Sequence, residues 1–350
     1  MFKKNIIPLL MISFLFLTTT IFFASTVQSI IKNEKIISEP RTIYVDDDNH
    51  AGPWDGTPEH PYETITQAYN VAISGDTIFC FSGVYGIRDQ RDCYMIINKS
   101  INLIGENRSN TYLFKRIGPE FYYLIVIDNV NISGFHFTVH SSCHVMTKIF
   151  VNASDHCTVT NNDFQDDFTM VGATAIIKII DSEDIIISDN IIGRPNPPVN
   201  IIGTQGIILE NSSNIQIYNN CIDEYFYGIV GKHLTKSNIT NNQLYTLGGL
   251  QLVASSHNII SNNVIENGIN GYGIYLLRSS DNSIIQNNFI TNRIRIRKAL
   301  FSDCTNTWDQ NYWGRARLLP KIIFGEKTVN NKIVPAFQID YHPARDPISL

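Results

Sequence analysis

Three groups of side chains in these 350 residues have the types that do chemistry or hold a ligand. Lys178, Glu210 and Lys232 combine a carboxylate with two amines. A lyase needs such a set: a base to take a carbon-bound proton and a cation to hold the enolate-like charge that follows. The same three residues also make an ordinary surface ion-pair ladder, the plainer use of Lys and Glu on an outer face. The segment HSSCHVM crowds His140, Cys143, His144 and Met146 into one turn, with His156 and Cys157 one strand later. Imidazole and soft sulfur suit copper or zinc, but the spacing is loose and no other segment carries matching donors. Tyr225, Tyr227, Tyr245, Tyr272 and Tyr275 offer flat faces for stacking on a sugar ring, against the simpler use of tyrosine as half-buried packing.

These groups act only if the backbone sets them side by side, and the backbone pattern is a repeat. CTVTNNDF from Cys157, IQIYNNCI from Ile215, SNITNNQL from Ser237, NIISNNVI from Asn258 and SIIQNNFI from Ser283 share an aliphatic residue before an Asn pair and a hydrophobe after it. TIFCFSGVY from Thr77, INLIGEN from Ile101, VNISGFHF from Val130 and IIISDNII from Ile185 are looser copies. Marks at residues 82, 105, 134, 161, 189, 219, 241, 262 and 287 recur every 21 to 30 residues. That period is too short for a propeller blade, and the I-x-I alternation is that of a strand.

A second strand led by glycine precedes several marks: GIILE from Gly206, GIVGK from Gly228, GLQLV from Gly249 and GIYLL from Gly273. A unit of short strands cannot bury its own apolar face, whereas stacked units share one continuous core. The fold class is therefore all-β, a parallel β-helix of roughly nine to ten coils. The Asn at each mark is expected both to adopt the left-handed bend and to form a hydrogen-bonded ladder along the axis. A leucine-rich repeat fits less well, because Ile and Val dominate and its L-x-x-L-x-L signature is absent.

With Thr174 aligned to the leading glycines, the fifth strand positions stack Lys178, Glu210, Lys232, Val253 and Leu277 on one outer face, where neighbouring strands lie about 4.8 Å apart. Further acids, Asp163, Asp166, Asp167, Asp223 and Glu224, follow their marks in turns. The NTD and GHG signatures of polygalacturonase-type hydrolases are absent, which weighs against paired-carboxylate hydrolysis.

With 43% hydrophobic residues, 17% charged residues and a net charge of -5, the chain is globular and has no basic field for nucleic acid. The RIRIRK run from Arg293 to Lys298 reads as a solvated strand face. Lys3 and Lys4 followed by the apolar stretch Ile6–Ala24 read as an export signal or, given its length, an uncleaved signal anchor. The chain is then expected outside the cytoplasm, touching membrane only through that segment. Six irregularly spaced cysteines suggest small buried hydrophobes more than a disulfide framework, and six sequons permit glycosylation where the export route provides it.

The expected boundaries are residues 1–29 for the signal, 30–40 for a linker, 41–76 for an N-terminal cap, 77–314 for the β-helix and 315–350 for a C-terminal capping segment. In the N-terminal cap, Ile65, Ala68, Tyr69 and Ala72 have helical spacing after Thr64 as N-cap. Asp46, Asp47 and Asp48 could be read as a calcium loop, but a solvated turn is the plainer reading. At the other end NTWDQNYWG, from Asn306 to Gly314, holds two of the three tryptophans. It is expected to plug the core as a Trp-rich cap, with Trp308 and Trp313 over the open end and Asp309 and Asn311 turning the backbone.

The signposts Gly56-Thr57, Pro61-Tyr62, Thr64-Ile65, Ala68 and Gly75-Asp76-Thr77-Ile78 resemble the N-terminal cap of secreted pectin-lyase-like right-handed β-helix proteins. The N-I-x-x-N-x-I coils, the terminal N-x-W-D-x-N-Y-W-G, GRARLLPKIIFGE and IDYHPA resemble the NosD-like β-helix family, especially its exported archaeal members. The similarity covers roughly residues 41 to 347. It implies a right-handed helix and an extracytoplasmic place, and it makes copper a possible cofactor with a role in maturing a copper enzyme. The wider fold hosts lyases, in which calcium can serve, as well as hydrolases and non-catalytic surface proteins. The reading that results is a non-catalytic cell-surface protein binding a polysaccharide, another envelope component or a surface protein, with a polysaccharide lyase or hydrolase and a copper-handling accessory protein as alternatives.

Overall fold

Strands of three or four residues that alternate Ile or Val with polar side chains bury one face only by pairing with copies of themselves. The computed structural model describes residues 39–86, 95–115, 121–139, 147–165, 174–193, 204–267, 271–290 and 299–349. The export segment, most of the linker, Cys93, Asp166, Asp167, the Arg293–Lys298 run and the whole His140, Cys143, His144 and Met146 group lie outside the described residues.

From Arg41 onward the strands form three parallel stacks. Face 1 climbs from Met95–Ile97 through Phe121–Ile125, Thr147–Asn152, Thr174–Ile180, Thr204–Glu210, Tyr227–Lys232, Gly248–Val253 and Ile274–Leu277 to Ala299–Ser302. Face 2 climbs from Thr42–Val45 to Thr307–Asp309. Face 3 stacks nine strands from Gly83–Tyr85 to Asn288–Ile290. Nine rungs give eight coil-to-coil steps, so the β-helix has about eight turns, slightly fewer than the spacing of the repeats suggests.

Strict register turns the inward side chains into columns. On face 3 Tyr85, Leu113, Phe137, Phe164, Ile192, Ile222, Leu244, Ile265 and Phe289 lie one above the other, all buried. The Trp313 ring stacks on Phe289 with centroids 4.6 Å apart, continuing that column. On face 2 the column of Ile and Val ends in Ile284, Trp308 and Asp340. Both tryptophans are thus core residues of the last coil, and the chain continues beyond them. A hairpin of Lys321–Val329 and Lys332–Asp340 follows, pairing with the coil beneath through Phe301 with Gly325, Ser302 with Glu326 and Trp308 with Asp340.

The Asn pair divides two roles that the sequence suggests for one residue. The first member takes the left-handed bend: φ is 53° at Asn161, 57° at Asp189 and Asn219, 56° at Asn241 and 54° at Asn262. The second, Asn162, Asn190, Asn220, Asn242, Asn263, Asn287 and Asn311, is buried and forms the ladder. In each rung the backbone N–H and Nδ2 donate to the next Asn Oδ1, as Asn220 does to Asn242 at 3.0 Å in both bonds. Nδ2 also donates to a carbonyl of the coil before, as to Ile187 O at 2.9 Å. The last copies are shifted by one from the expected marks, because Gln286 and Gln310 make the bends and Asn287 and Asn311 belong to the ladder. Asp340 Oδ2 ends the ladder, accepting from Asn311 N, Asn311 Nδ2 and Trp313 Nε1. A second ladder through Ser237, Asn258, Asn282 and Asn306 ends on Gln338 Oε1, which also accepts from Trp308 Nε1 at 2.6 Å.

At the opposite end the helix α1, Ile65–Val71, starts with the capping box of Thr64 and Gln67 and buries Ile65, Ala68 and Tyr69 against the first coil. Lys99 Nζ donates to the carbonyls of Tyr69 and Ala72, satisfying the C-terminal turn. Asp47 braces the first coil, since its Oδ2 accepts from Val84 N at 3.0 Å and its Oδ1 occupies the place a Cβ on Gly83 would need. Cys157 faces the core as expected, and burial pushes its thiol pKa up to about 11.

Replacing Asn242 with Ala orphans the buried Asn220 N–H, at a cost of roughly 1–3 kcal/mol, and takes one of three acceptors from Asn220 Nδ2. Denaturant unfolding is expected to show a much larger loss for Asn242→Ala than for Asn241→Gly, where only the bend is involved. Trp313→Ala is expected to cost about 3–5 kcal/mol, the range for emptying a buried aromatic site, while leaving ligand binding unchanged.

Candidate functional site

The Asn ladder and Lys148 are satisfied within the interior, the ladder by its own amides and Lys148 by the Phe137 and Gln165 carbonyls, so the positions open to a ligand are the outward ones of the strands and the turns between faces. On face 1 the rows are now fixed. Glu210 pairs in register with Lys232, followed by Val253 and Leu277. Lys178 is not in that row: it stands beside Phe150 and Ile208, and Ile180 takes the place next to Glu210. The strand Thr204–Glu210 starts two residues before Gly206, and Thr174 aligns with Thr204. A slip of two keeps a side chain on the same face and changes its neighbour.

The three charged residues are therefore a pair and a single. Lys232 Nζ lies 2.6 Å from Glu210 Oε1, both partly exposed. Lys178 Nζ sits 5.3 Å from the centre of the Phe150 ring. The Glu210 carboxylate is thus held by an amine, and no second carboxylate adjoins it in its row to either side. This arrangement lacks the paired acids that glycoside hydrolysis requires.

The Lys178 row continues outward through Ile208, Val230, Gln251, Tyr275 and Leu300. Ile208 and Val230 are buried although they point away from the main core, and with Ala175 they form a second apolar cluster flanked by Tyr227. The five tyrosines separate into three environments. Tyr225 is buried in the core, and Tyr245 lies on face 3 between Asp223 and Glu266. Tyr227, Tyr272 and Tyr275 come together on face 1. The Tyr272 and Tyr275 rings are 5.7 Å apart, and the Tyr227 ring lies where a Cβ on Gly248 would stand, 2.5 Å from its nearest atom. Burial pushes the Tyr227 and Tyr275 hydroxyls above their ordinary pKa, helped at Tyr227 by Tyr275 and Tyr272 and at Tyr275 by Tyr272 and Glu326, so they remain neutral donors at neutral pH.

Connections between face 3 and face 1 set the walls of this patch. They take ten residues at 194–203, but only Glu224–Phe226 before Tyr227 and Leu247 alone before Gly248. The patch thus lies where the coil perimeter is shortest. Phe226 packs edge-on against Tyr227, with centroids 4.9 Å apart, and holds the ring.

One cluster escapes sequence reasoning. On the outside of face 3 His136 Nδ1 is 3.2 Å from Asp163 Oδ2, and Tyr112 packs over the imidazole at 4.8 Å. His136 and Asp163 are each two residues past their marks, which is the signal that could have found them, since equal offsets in successive coils are adjacent in space. Among the described residues no group of three His, Cys, Asp or Glu side chains is placed to hold a metal ion. A shallow groove of about 730 Å³ runs along the turn between faces 2 and 3, where Arg108 Nη1 donates to Asp189 O at 2.7 Å.

Comparison with solved structures places the architecture among right-handed parallel β-helix proteins. The tailspike protein of E. coli bacteriophage HK620 is similar with a TM-score of 0.51 and 11% identity, covering 69% of this chain and 50% of its own. DFA-IIIase from Arthrobacter chlorophenolicus, solved with DFA-III, gives 0.50 and 13%, covering 87% and 86%. The A-module of a mannuronan C-5 epimerase from Azotobacter vinelandii gives 0.50 and 11%, covering 71% of each chain. At these identities the likeness is one of fold. No curated protein sequence matches. The profile of the family described as periplasmic copper-binding protein (NosD) matches residues 69–317, most of the solenoid, and the chain belongs to the NosD family.

Proposed function

We propose that this protein is a non-catalytic, extracytoplasmic binder of polysaccharide, with Tyr227, Tyr272 and Tyr275 as the platform. The observation that carries the reading is the convergence of these three rings on one outer face. Gln251 is next to Tyr275 in its row and offers a polar group beside the aromatic face. A saccharide presents both apolar C–H faces and hydroxyls, and a half-buried phenol ring answers both needs. The polysaccharide-directed β-helices among the structural neighbours support the substrate class, and the periplasmic description of the family supports the location.

The charge arrangement supports binding without cleavage. The lyase alternative places a Lys base beside an acid, and Lys178 stands against Phe150 and Ile208 with no carboxylate beside it in its row. The hydrolase alternative requires two acids, and Glu210 has an amine as its partner. A calcium-assisted lyase is equally without a three-donor group among the described residues.

The copper alternative comes from the family description. The described residues by themselves do not fit a copper site, since none of them form a three-donor group. That reading rests on His140, Cys143, His144 and Met146, outside the described residues, with His136 oriented by Asp163 on the strand leading to them. Carboxylate-oriented imidazoles are common metal ligands. Metal analysis of the purified protein after copper exposure, compared with a His140→Ala/Cys143→Ala variant, decides it; stoichiometric copper lost in the variant would establish copper handling.

Affinity electrophoresis through gels containing each of a panel of polysaccharides tests the main reading. Retardation is expected, with Tyr275→Ala weakening the affinity about tenfold, roughly 1.4 kcal/mol. Tyr245→Ala, on another face, should have no effect. Unsaturated or reducing ends released by the native chain and lost in Glu210→Gln would instead establish an enzyme.

A further inference from the structure

The C-terminal hairpin carries an apolar face that the solenoid does not use. Its inward side supplies Ile323, Gln338 and Asp340 to the last coil, and its outward side carries Ile322 and Phe324 opposite Ile339 and Phe337. Phe324 and Phe337 are each 66% exposed and Ile333 is 72% exposed. Just before the hairpin, Leu318 and Leu319 are 83% and 76% exposed. Single exposed apolar residues are ordinary, but a contiguous group of this kind marks a contact surface.

The charge around the group identifies what it contacts. Residues 314–350 contain six Lys or Arg (Arg315, Arg317, Lys321, Lys327, Lys332, Arg345) against three acids (Glu326, Asp340, Asp346), in a chain whose net charge is -5. One of those acids, Asp340, is buried in the ladder. No carboxylate among the described residues lies within ion-pair distance of Arg315, Arg317, Lys321, Lys327 or Lys332. Arg315 and Arg317 are close enough to Lys321 to depress its pKa further after burial has done so. The segment RARLLPKIIF therefore sets Arg315 and Arg317, with no carboxylate beside them, next to exposed Leu318, Leu319, Ile322 and Phe324, while Lys321 turns inward over the Trp313 ring at 5.7 Å.

We propose that this end of the solenoid docks on an anionic lipid surface, with Leu318, Leu319, Ile322, Phe324 and Phe337 entering the headgroup and acyl boundary and the Arg315 and Arg317 cations meeting lipid phosphates. Apolar side chains ringed by Lys and Arg are what such a surface selects. A second copy is a poorer occupant, because a two-fold contact sets each patch against itself and brings like charges together. The contact is independent of the tyrosine platform and of the N-terminal apolar segment.

The test uses the chain from Arg41 to Leu350, the compact unit that holds the core cluster from Ile43 to Ile323. Co-sedimentation is measured with phosphatidylcholine vesicles with and without phosphatidylglycerol. Binding to the anionic vesicles is expected, falling at least tenfold in Leu318→Ser/Leu319→Ser and in Arg315→Gln/Arg317→Gln, and weakening with salt. Tyr275→Ala should bind vesicles normally. Leu318, Leu319 and Arg315 are exposed and Arg317 is half-buried, and an unchanged melting curve verifies the fold of both variants. Absence of vesicle binding, binding unaffected by both variants, or a dimer in sedimentation equilibrium that the leucine variant dissolves would overturn the proposal.

Discussion

Each coil of this protein is incomplete until the next one is in place, and the buried amide ladder is where that dependence is strongest. An Asn side chain inside an apolar core is costly unless all its hydrogen-bonding groups are met. Here Asn220 meets them with Asn242 on one side and with the Ile187 and Tyr218 carbonyls on the other. The ladder admits only parallel, in-register stacking, because a slip of one residue would exchange the buried Asn for its exposed neighbour. Register in turn aligns the Ile, Leu and Phe columns, and those columns require an aromatic or charged stop at each end.

That constraint leaves the outward positions free. The outer side chains of face 1 change from Phe150 and Lys178 through Ile208 and Val230 to Gln251 and Tyr275 without disturbing the column beneath. Variation in coil length is absorbed in the connections between face 3 and face 1, and the two shortest border the tyrosine patch.

How far the sequence reaches follows from the same division. Asn-Asn pairs and I-x-I runs report the core directly, so the stacked coils, the helix α1 and the inward Cys157 are legible. The outer face is not, because its residues are constrained by neither periodicity nor burial. The glycine-led alignment puts Lys178 beside Glu210 because the longer strand starting at Thr204 has no sequence mark at its first residue. Tyr225 and Tyr245 look like Tyr227, yet Tyr225 turns inward within the connection Glu224–Phe226 and Tyr245 still belongs to the face 3 strand Gln243–Thr246. The tryptophans of NTWDQNYWG do belong to the last coil, but they fill ordinary core positions and the chain continues past them as a hairpin.

The final rung has a further consequence. The Asn-to-Asn bonds of the ladder all run one way: each N–H and Nδ2 donates to the Oδ1 of the next coil, and each Oδ1 accepts from the coil behind. An Asn at the last position would present two donors to whatever came next, including the first coil of another molecule. Asp340 accepts three bonds on one oxygen and has no side-chain N–H to pass on. The directional chain of amides therefore terminates chemically as well as sterically. A solenoid whose every coil is a template for the next thus carries, in one carboxylate, its protection against growing into a fibre.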